Sequence, residues 1–191
     1  MRLGKNIHDA FEIVAVTYEN VSKLMSFSLE KAVESGEFEP SSQKFLRWKS
    51  DNEIDGWLMK SFILLFQNTK DKPMKNKWRK GPIYVMEINL NPFKYDEPMI
   101  NIAKFEYSDS LSSWSEGVSK SDHSGFFEPL YNDDFSEGDQ FSYSSEITDD
   151  AYSNRYWGLK RIVGIGVPLA EVSRENAYEK IFCGFKSLIN K

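Results

Sequence analysis

The chain has 191 residues, of which 40% are hydrophobic and 28% are charged, and its formal net charge at neutral pH is −5. This length suits a single domain around one core, and the ordinary mixture of apolar and charged residues argues against a disordered chain. The negative charge makes nucleic acid an unlikely partner and argues against anionic lipid surfaces, because both would repel the protein.

The first predicted element is a long amphipathic helix from Ile7 to about Val33. Its apolar residues recur at alternating spacings of four and three, with Ser28 in the one remaining place, which is typical of one helix face; they are Ile7, Phe11, Val14, Tyr18, Val21, Met25 and Ala32. Gly36 is a plausible stop signal. Because further apolar residues make this face wider than one sheet contact needs, we expect a second buried face, which a homodimer would provide.

A short helix is predicted next, leading from the turn at Pro40 through Phe45, Leu46 and Trp48. The spacing of apolar residues then changes from a helical to a strand period. This change begins at Trp57.

Three strands are predicted in the middle of the chain, at Trp57 to Gln67, Pro82 to Leu90 and Met99 to Tyr107. The second and third form an antiparallel hairpin, because their connection is too short for a parallel crossover. The polar residues that alternate with the apolar ones are expected to form a solvated sheet face; among them are Glu87, Lys104 and Glu106.

Regular periodicity disappears between Ser108 and Arg155 and returns near the carboxyl end of the chain. Strands are predicted at Phe141 to Ile147 and at Lys160 to Leu169, followed by a helix after Ser173. The predicted fold is therefore α+β: a central antiparallel sheet of about four or five strands, flanked by a long N-terminal helix and a C-terminal helix. Residues 1–191 form one domain with an irregular acidic and aromatic excursion at about 108–155.

Residues that could carry catalysis are few. His8 and His123 have no second histidine at ligand spacing, and both are expected to be surface residues. The single cysteine, Cys183, excludes an intramolecular disulfide and a thiolate metal cluster, and is expected to be a buried, inert thiol. The sequence therefore predicts no metal site and no cofactor, and it favours a protein that is not an enzyme.

The segment from Ser121 to Asn154 contains no lysine or arginine, and its acidic residues alternate with aromatic ones. Carboxylates speed the encounter with a basic surface, and aromatic side chains hold a bound partner. We therefore expect an inhibitory or immunity-like protein-binding module whose partner has a basic surface. The residues expected to contact that partner are Phe126, Phe127, Tyr131, Asp133, Asp134, Phe135 and Asp139.

The loop between residues 70 and 80 supports an alternative, because six basic residues surround one tryptophan there. Basic side chains grip phosphate, and an indole ring stacks on a base. Under this alternative the chain is an enzyme or a sensor that binds a phosphorylated small molecule or a nucleotide. The phosphate-binding residues would be Lys75, Lys77, Trp78 and Arg79.

The sequence also indicates a cellular location. No apolar run approaches the roughly 20 residues that a membrane-spanning helix needs, and the N-terminal residues do not resemble a secretory signal. With a single cysteine in addition, the chain is expected to be a soluble cytoplasmic protein without a membrane partner.

Overall fold

The computed structural model of the protein describes residues 3–41, 44–47, 49–92, 94–117, 122–131, 137–139 and 142–191. These residues have the predicted α+β architecture, with a long N-terminal helix, an antiparallel sheet and a C-terminal helix. The helices and strands are α1 (Leu3–Ser35), β1 (Phe38–Pro40), β2 (Ser61–Asn68), β3 (Ile83–Asn89), β4 (Met99–Tyr107), α2 (His123–Tyr131), β5 (Glu137–Asp139), β6 (Ser142–Glu146), α3 (Asp150–Arg155), β7 (Leu159–Pro168) and α4 (Gly184–Leu188).

The described strands form one sheet of seven, in the order β1-β2-β3-β4-β7-β6-β5, and every neighbouring pair is antiparallel. Two of the strands beyond the predicted count, β1 and β5, have three residues each, too few to show a period of two. Residues 44–47, the described part of the short helix predicted near Leu46, are not helical. Instead Leu46 makes a β-bridge to Ile63.

The first face of the sheet is covered by helices. The second half of α1 and the C-terminal helical segment, residues 179–188, pack against apolar side chains of β2, β3 and β4, including Phe62, Phe66 and Tyr84. Gly36, at φ +66°, directly follows the last residue of α1 and ends the helix. Phe38, the first residue of β1, then packs edge-to-face on Tyr84 at 5.0 Å between ring centroids. Left-handed backbone is readily accessible to glycine, which explains this stop.

The opposite face of the sheet is also covered, and it forms a second core. The residues packed there come from all along the chain, including Ile63, Trp78, Phe105, Phe126 and Tyr156. Because both faces are buried, β2 and β3 contain almost no exposed residue.

Cover on both faces of the sheet overturns the expectation of a solvated sheet face. Glu87, on the second face, is fully buried; Lys104, which is paired with Tyr84 on the first face, is 3% exposed and pairs with Glu106 at 2.7 Å. The alternation in β3 was correctly assigned to two faces, whereas Lys104 and Glu106 lie on the same face of β4 as the apolar Ile102. Glu87 and Lys104 both face protein instead of water, because segments distant in sequence fold over each face of the sheet.

The C-terminal helical segment is a π-helix from Glu179 to Cys183 that continues into α4. It buries Ile181, Phe182, Phe185 and Leu188, whereas Cys183 is exposed. The prediction of a buried thiol is therefore wrong. No helix in the described part of the chain is both long enough and apolar enough to cross a bilayer.

Candidate functional site

A cluster of buried polar side chains lies on the second face of the sheet, at the end where β2 begins. Ser61 is paired with Asn89, and Glu87 is paired with Asn101, so the strand register brings all four side chains together. Ser61 Oγ donates a hydrogen bond to Glu87 Oε1 at 2.7 Å, and Asn101 Nδ2 donates to Glu87 Oε2 at 2.7 Å. Asn89 Nδ2 also donates to Glu87 Oε1, at 3.2 Å. Both oxygens of the carboxyl group are thus satisfied inside the protein.

Helix α2 contributes the fifth member of this buried polar cluster. His123, in the first turn of α2, places Nε2 3.2 Å from Ser61 Oγ and stacks its ring on Phe127 at 4.8 Å. At the other end of α2, Lys94 Nζ donates to the carbonyl of Leu130 at 2.6 Å. Polar contacts therefore fasten one end of α2 to the sheet and the other end to the connection between β3 and β4. His123 is 3% exposed, so the prediction of a surface histidine is wrong.

The environment of the buried polar cluster shifts two pKa values in opposite directions. Burial raises the pKa of Glu87, against hydrogen bonds from Asn101 and Ser61 that act to lower it. Burial also lowers the pKa of His123 to about 4, so this imidazole is neutral near pH 7.

The order of the groups decides what chemistry the buried polar cluster can perform. In a Ser-His-acid triad the histidine lies between the serine and the carboxylate and removes the proton from the hydroxyl. Here Ser61 lies between His123 and Glu87, and its hydroxyl proton is directed to the carboxylate. This arrangement can hold α2 on the sheet, but it does not match the geometry of a nucleophilic triad.

The two largest side chains in the loop of residues 70–80, those of Trp78 and Arg79, contact other parts of the same chain. Trp78 is 2% exposed, and its Nε1 donates to the carbonyl of Ser115 at 2.9 Å. Arg79 donates to the carboxylate of Glu39 at 2.6 and 2.8 Å and to the backbone carbonyls of Thr69 and Asp71. Lys75 and Lys77 remain exposed, and Lys77 pairs with Glu116. The structure therefore does not bring the four proposed phosphate ligands onto one surface.

The residues predicted to contact a protein partner are divided between surface and core. Phe126 is fully buried in the second core and is therefore not available to a partner, and Phe127 is half-buried against the same core. Tyr131 and Asp139 are described as backbone only. Asp133, Asp134 and Phe135 lie outside the described residues, so the prediction for them stays a prediction.

A large exposed apolar surface occurs elsewhere, on the first half of α1. None of residues 3–17 is buried, although the helix is continuous from Leu3 to Ser35. Leu3, Phe11 and Ile13 are each at least 68% exposed. The apolar stripe that packs on the sheet through Val21 and Met25 thus continues beyond the sheet without an intramolecular partner among the described residues.

The same exposed half of α1 carries a group of potential metal ligands. Ligand atoms of His8, Asp9 and Glu12 lie within 4.8 Å of one another on the helix surface. Sequence reasoning compared only histidine with histidine and so missed this group. Its side chains face solvent, where acidic groups often cluster without an ion.

Comparison with known proteins does not extend this picture: no protein-family model, no curated protein and no solved structure matches the chain.

Proposed function

We propose that this chain is a non-enzymatic protein-binding module. The observation that supports this proposal most is the exposed apolar half of α1. At 1.5 Å per residue, residues 3–17 extend for roughly 20 Å, and none of their apolar side chains is among those packed on the two described cores. A helix of this length is marginal in water by itself and gains stability by burying its apolar face against another chain.

The partner that suits this helix face is a second copy of the protein. The flanks of the stripe are uncharged, because Ala10, Ala15 and Thr17 lie beside Ile7, Phe11 and Val14 on the helix. Two copies could therefore approach closely without repulsion between like charges. A lipid surface suits it less well, because interfacial helices carry a face rich in lysine and arginine. The polar face of this helix carries Lys5, Asp9 and Glu12.

Light scattering on the purified chain would test this proposal. We expect a mass that rises with concentration from 22.2 kDa toward twice that value. Ile7→Asp combined with Phe11→Asp should hold the mass at the monomer value, because charges would enter the interface. Ile54→Asp is the matched control, since Ile54 is 76% exposed but lies far from α1 in sequence. A wild-type chain that stays monomeric at the highest measurable concentration would contradict the proposal.

The acidic segment, from Ser121 to Asn154, would select a basic partner protein through the exposed carboxylates among its described residues. Phe126, Phe127 and Tyr152 pack on the second core, whereas Glu146, Asp149 and Asp150 are exposed. Carboxylates on such a surface accelerate association with a positively charged protein. We place the protein in the cytoplasm, because the exposed thiol of Cys183 suits a reducing compartment.

The alternative function, binding of a phosphorylated small molecule or nucleotide, has less support. It needs Trp78 to stack on a base and Arg79 to grip a phosphate. Trp78 is enclosed by protein, and the guanidinium of Arg79 already pairs with Glu39. Lys75 and Lys77 alone would give a weak, exposed phosphate contact.

A further inference from the structure

A pocket of about 220 Å³ lies outside the surfaces considered so far, between the turn that follows β4 and the turn that follows α3. It is lined by Trp114, Ser115, Gly117, Asp122 and Trp157. Two of its walls are indole rings whose centroids are 5.3 Å apart and whose planes meet at 73°. Its lining thus combines two aromatic rings with one carboxylate.

Neighbouring residues hold the Trp114 wall in place. Trp78 and Tyr107 pack edge-to-face against Trp114 at 5.3 and 5.0 Å. Asn76 Nδ2 donates to the carbonyls of Leu111 and Trp114 at 2.8 and 3.0 Å. The segment that carries this wall is therefore anchored by hydrogen bonds as well as by ring packing.

The Trp157 wall is held by unusual backbone geometry. Trp157 has φ +58°, a left-handed conformation that a bulky side chain rarely adopts. Its ring lies directly over Gly125 of α2, where an added Cβ would be 2.2 Å from the indole. Residues kept in such conformations concentrate at binding sites, where the surrounding structure maintains them.

We propose that this pocket binds an alkylated ammonium group. The faces of aromatic rings attract cations, and cages of aromatic residues are a known solution for quaternary ammonium ligands. Asp122 adds a negative charge at the pocket wall, and the volume is sufficient for a trimethylammonium group. Such a group occurs on free choline-like molecules and on trimethylated lysine side chains of other proteins.

Titration with tetramethylammonium chloride, followed by tryptophan fluorescence at constant ionic strength, would test the proposal. We expect a saturable change that sodium chloride does not produce. The neutral near-isostere 2,2-dimethylpropan-1-ol, in which carbon replaces the nitrogen and one methyl group carries a hydroxyl, should bind at least about tenfold more weakly, because it lacks the charge that the rings and Asp122 attract. Equal binding of the neutral compound, or no saturable change, would overturn the proposal.

Two variants would locate the site. Gly125→Ala should weaken tetramethylammonium binding about tenfold, because its Cβ displaces the Trp157 indole without removing a pocket residue. Asp122→Asn should weaken binding severalfold and is expected to preserve the fold. Trp57→Phe is the control, since Trp57 is 69% exposed and does not line the pocket. If Trp57→Phe abolishes the response or Asp122→Asn leaves affinity unchanged, the proposal fails.

A comparison of choline with a trimethyllysine peptide would identify the source of the group. Tighter binding of choline would indicate a small-molecule ligand. Tighter binding of the peptide would indicate a methylated partner protein. Both results support an ammonium site, and weaker binding of both than of the neutral isostere would contradict it.

Discussion

The buried imidazole of His123 should make the stability of the fold depend on pH. Its pKa is lowered to about 4, so below about pH 6.5 the unfolded chain takes up a proton there that the folded protein does not. The stability present above pH 6.5 is therefore lost as the pH falls toward 4. We expect a loss of roughly 2 kcal/mol in the free energy of unfolding between pH 7 and pH 5 from this residue.

Urea denaturation of the wild type and of His123→Gln across this pH range would measure the effect. The variant lacks the titrating group, so the difference between the two curves isolates His123. Glu87 acts with the opposite sign: its pKa is raised, so its contribution is present at low pH and is lost as the pH rises through the folded pKa. His8→Gln at an exposed position is the control. Parallel curves for wild type and His123→Gln would disprove the assignment.

At the level of single residues, the sequence predicted which polar residues of β3 share a sheet face but not what covers that face. Alternation in the strands placed Glu87 and Asn89 on one side of β3, and the structure confirms it. Their burial depends on α2, which is held there by His123 and Lys94. A single histidine in a polar segment gives no periodic signal, so neither the buried polar cluster nor its closure could be predicted.

Among the elements, the C-terminal helical segment should be indispensable. Phe185 is fully buried and packs on Phe38, Phe66 and Tyr84 with ring centroids 5.5 to 5.6 Å apart. Phe185→Ala should cost about 3–5 kcal/mol, a large share of the roughly 5–15 kcal/mol that stabilises a domain.

The urea midpoint should accordingly fall while the slope of the transition stays constant. Ile189→Ala at the end of the same segment provides the comparison, because Ile189 is 40% exposed and should cost less than about 1 kcal/mol. Equal losses for the two variants would show that the helix is peripheral.

Long elements with a strong period were predictable, whereas short ones were not. The four-three spacing gave α1 within a few residues of its observed bounds, and alternation gave the hairpin of β3 and β4. β1 owes its existence to pairing with β2, a tertiary interaction that three residues cannot encode locally. The same holds for the bridge at Leu46, where a helix had been expected.

For the whole molecule, the order of the predicted helices and strands gave the correct fold class but not the way the surfaces are used. Acidic and aromatic residues mixed in one segment suggested a contact surface, yet Phe126 belongs to the core. Apolar residues on α1 suggested a second buried face, and they are exposed in the single chain. Only the three-dimensional arrangement separates aromatic residues that build the fold from apolar residues that stay exposed on the single chain.

The charge of the molecule as a whole leads to a kinetic prediction about its partner, once co-purification from the native cell has identified one. Glu146→Lys combined with Asp150→Lys should slow association about tenfold at low salt and flatten its salt dependence, because the exposed acidic surface steers a basic protein. The dissociation rate should change little. Glu53→Lys, at an exposed position outside the acidic segment, should bind like the wild type. If the double variant associates normally while neutralising Lys75 and Lys77 abolishes binding, the acidic segment is not the recognition surface, and the phosphate-binding alternative takes precedence.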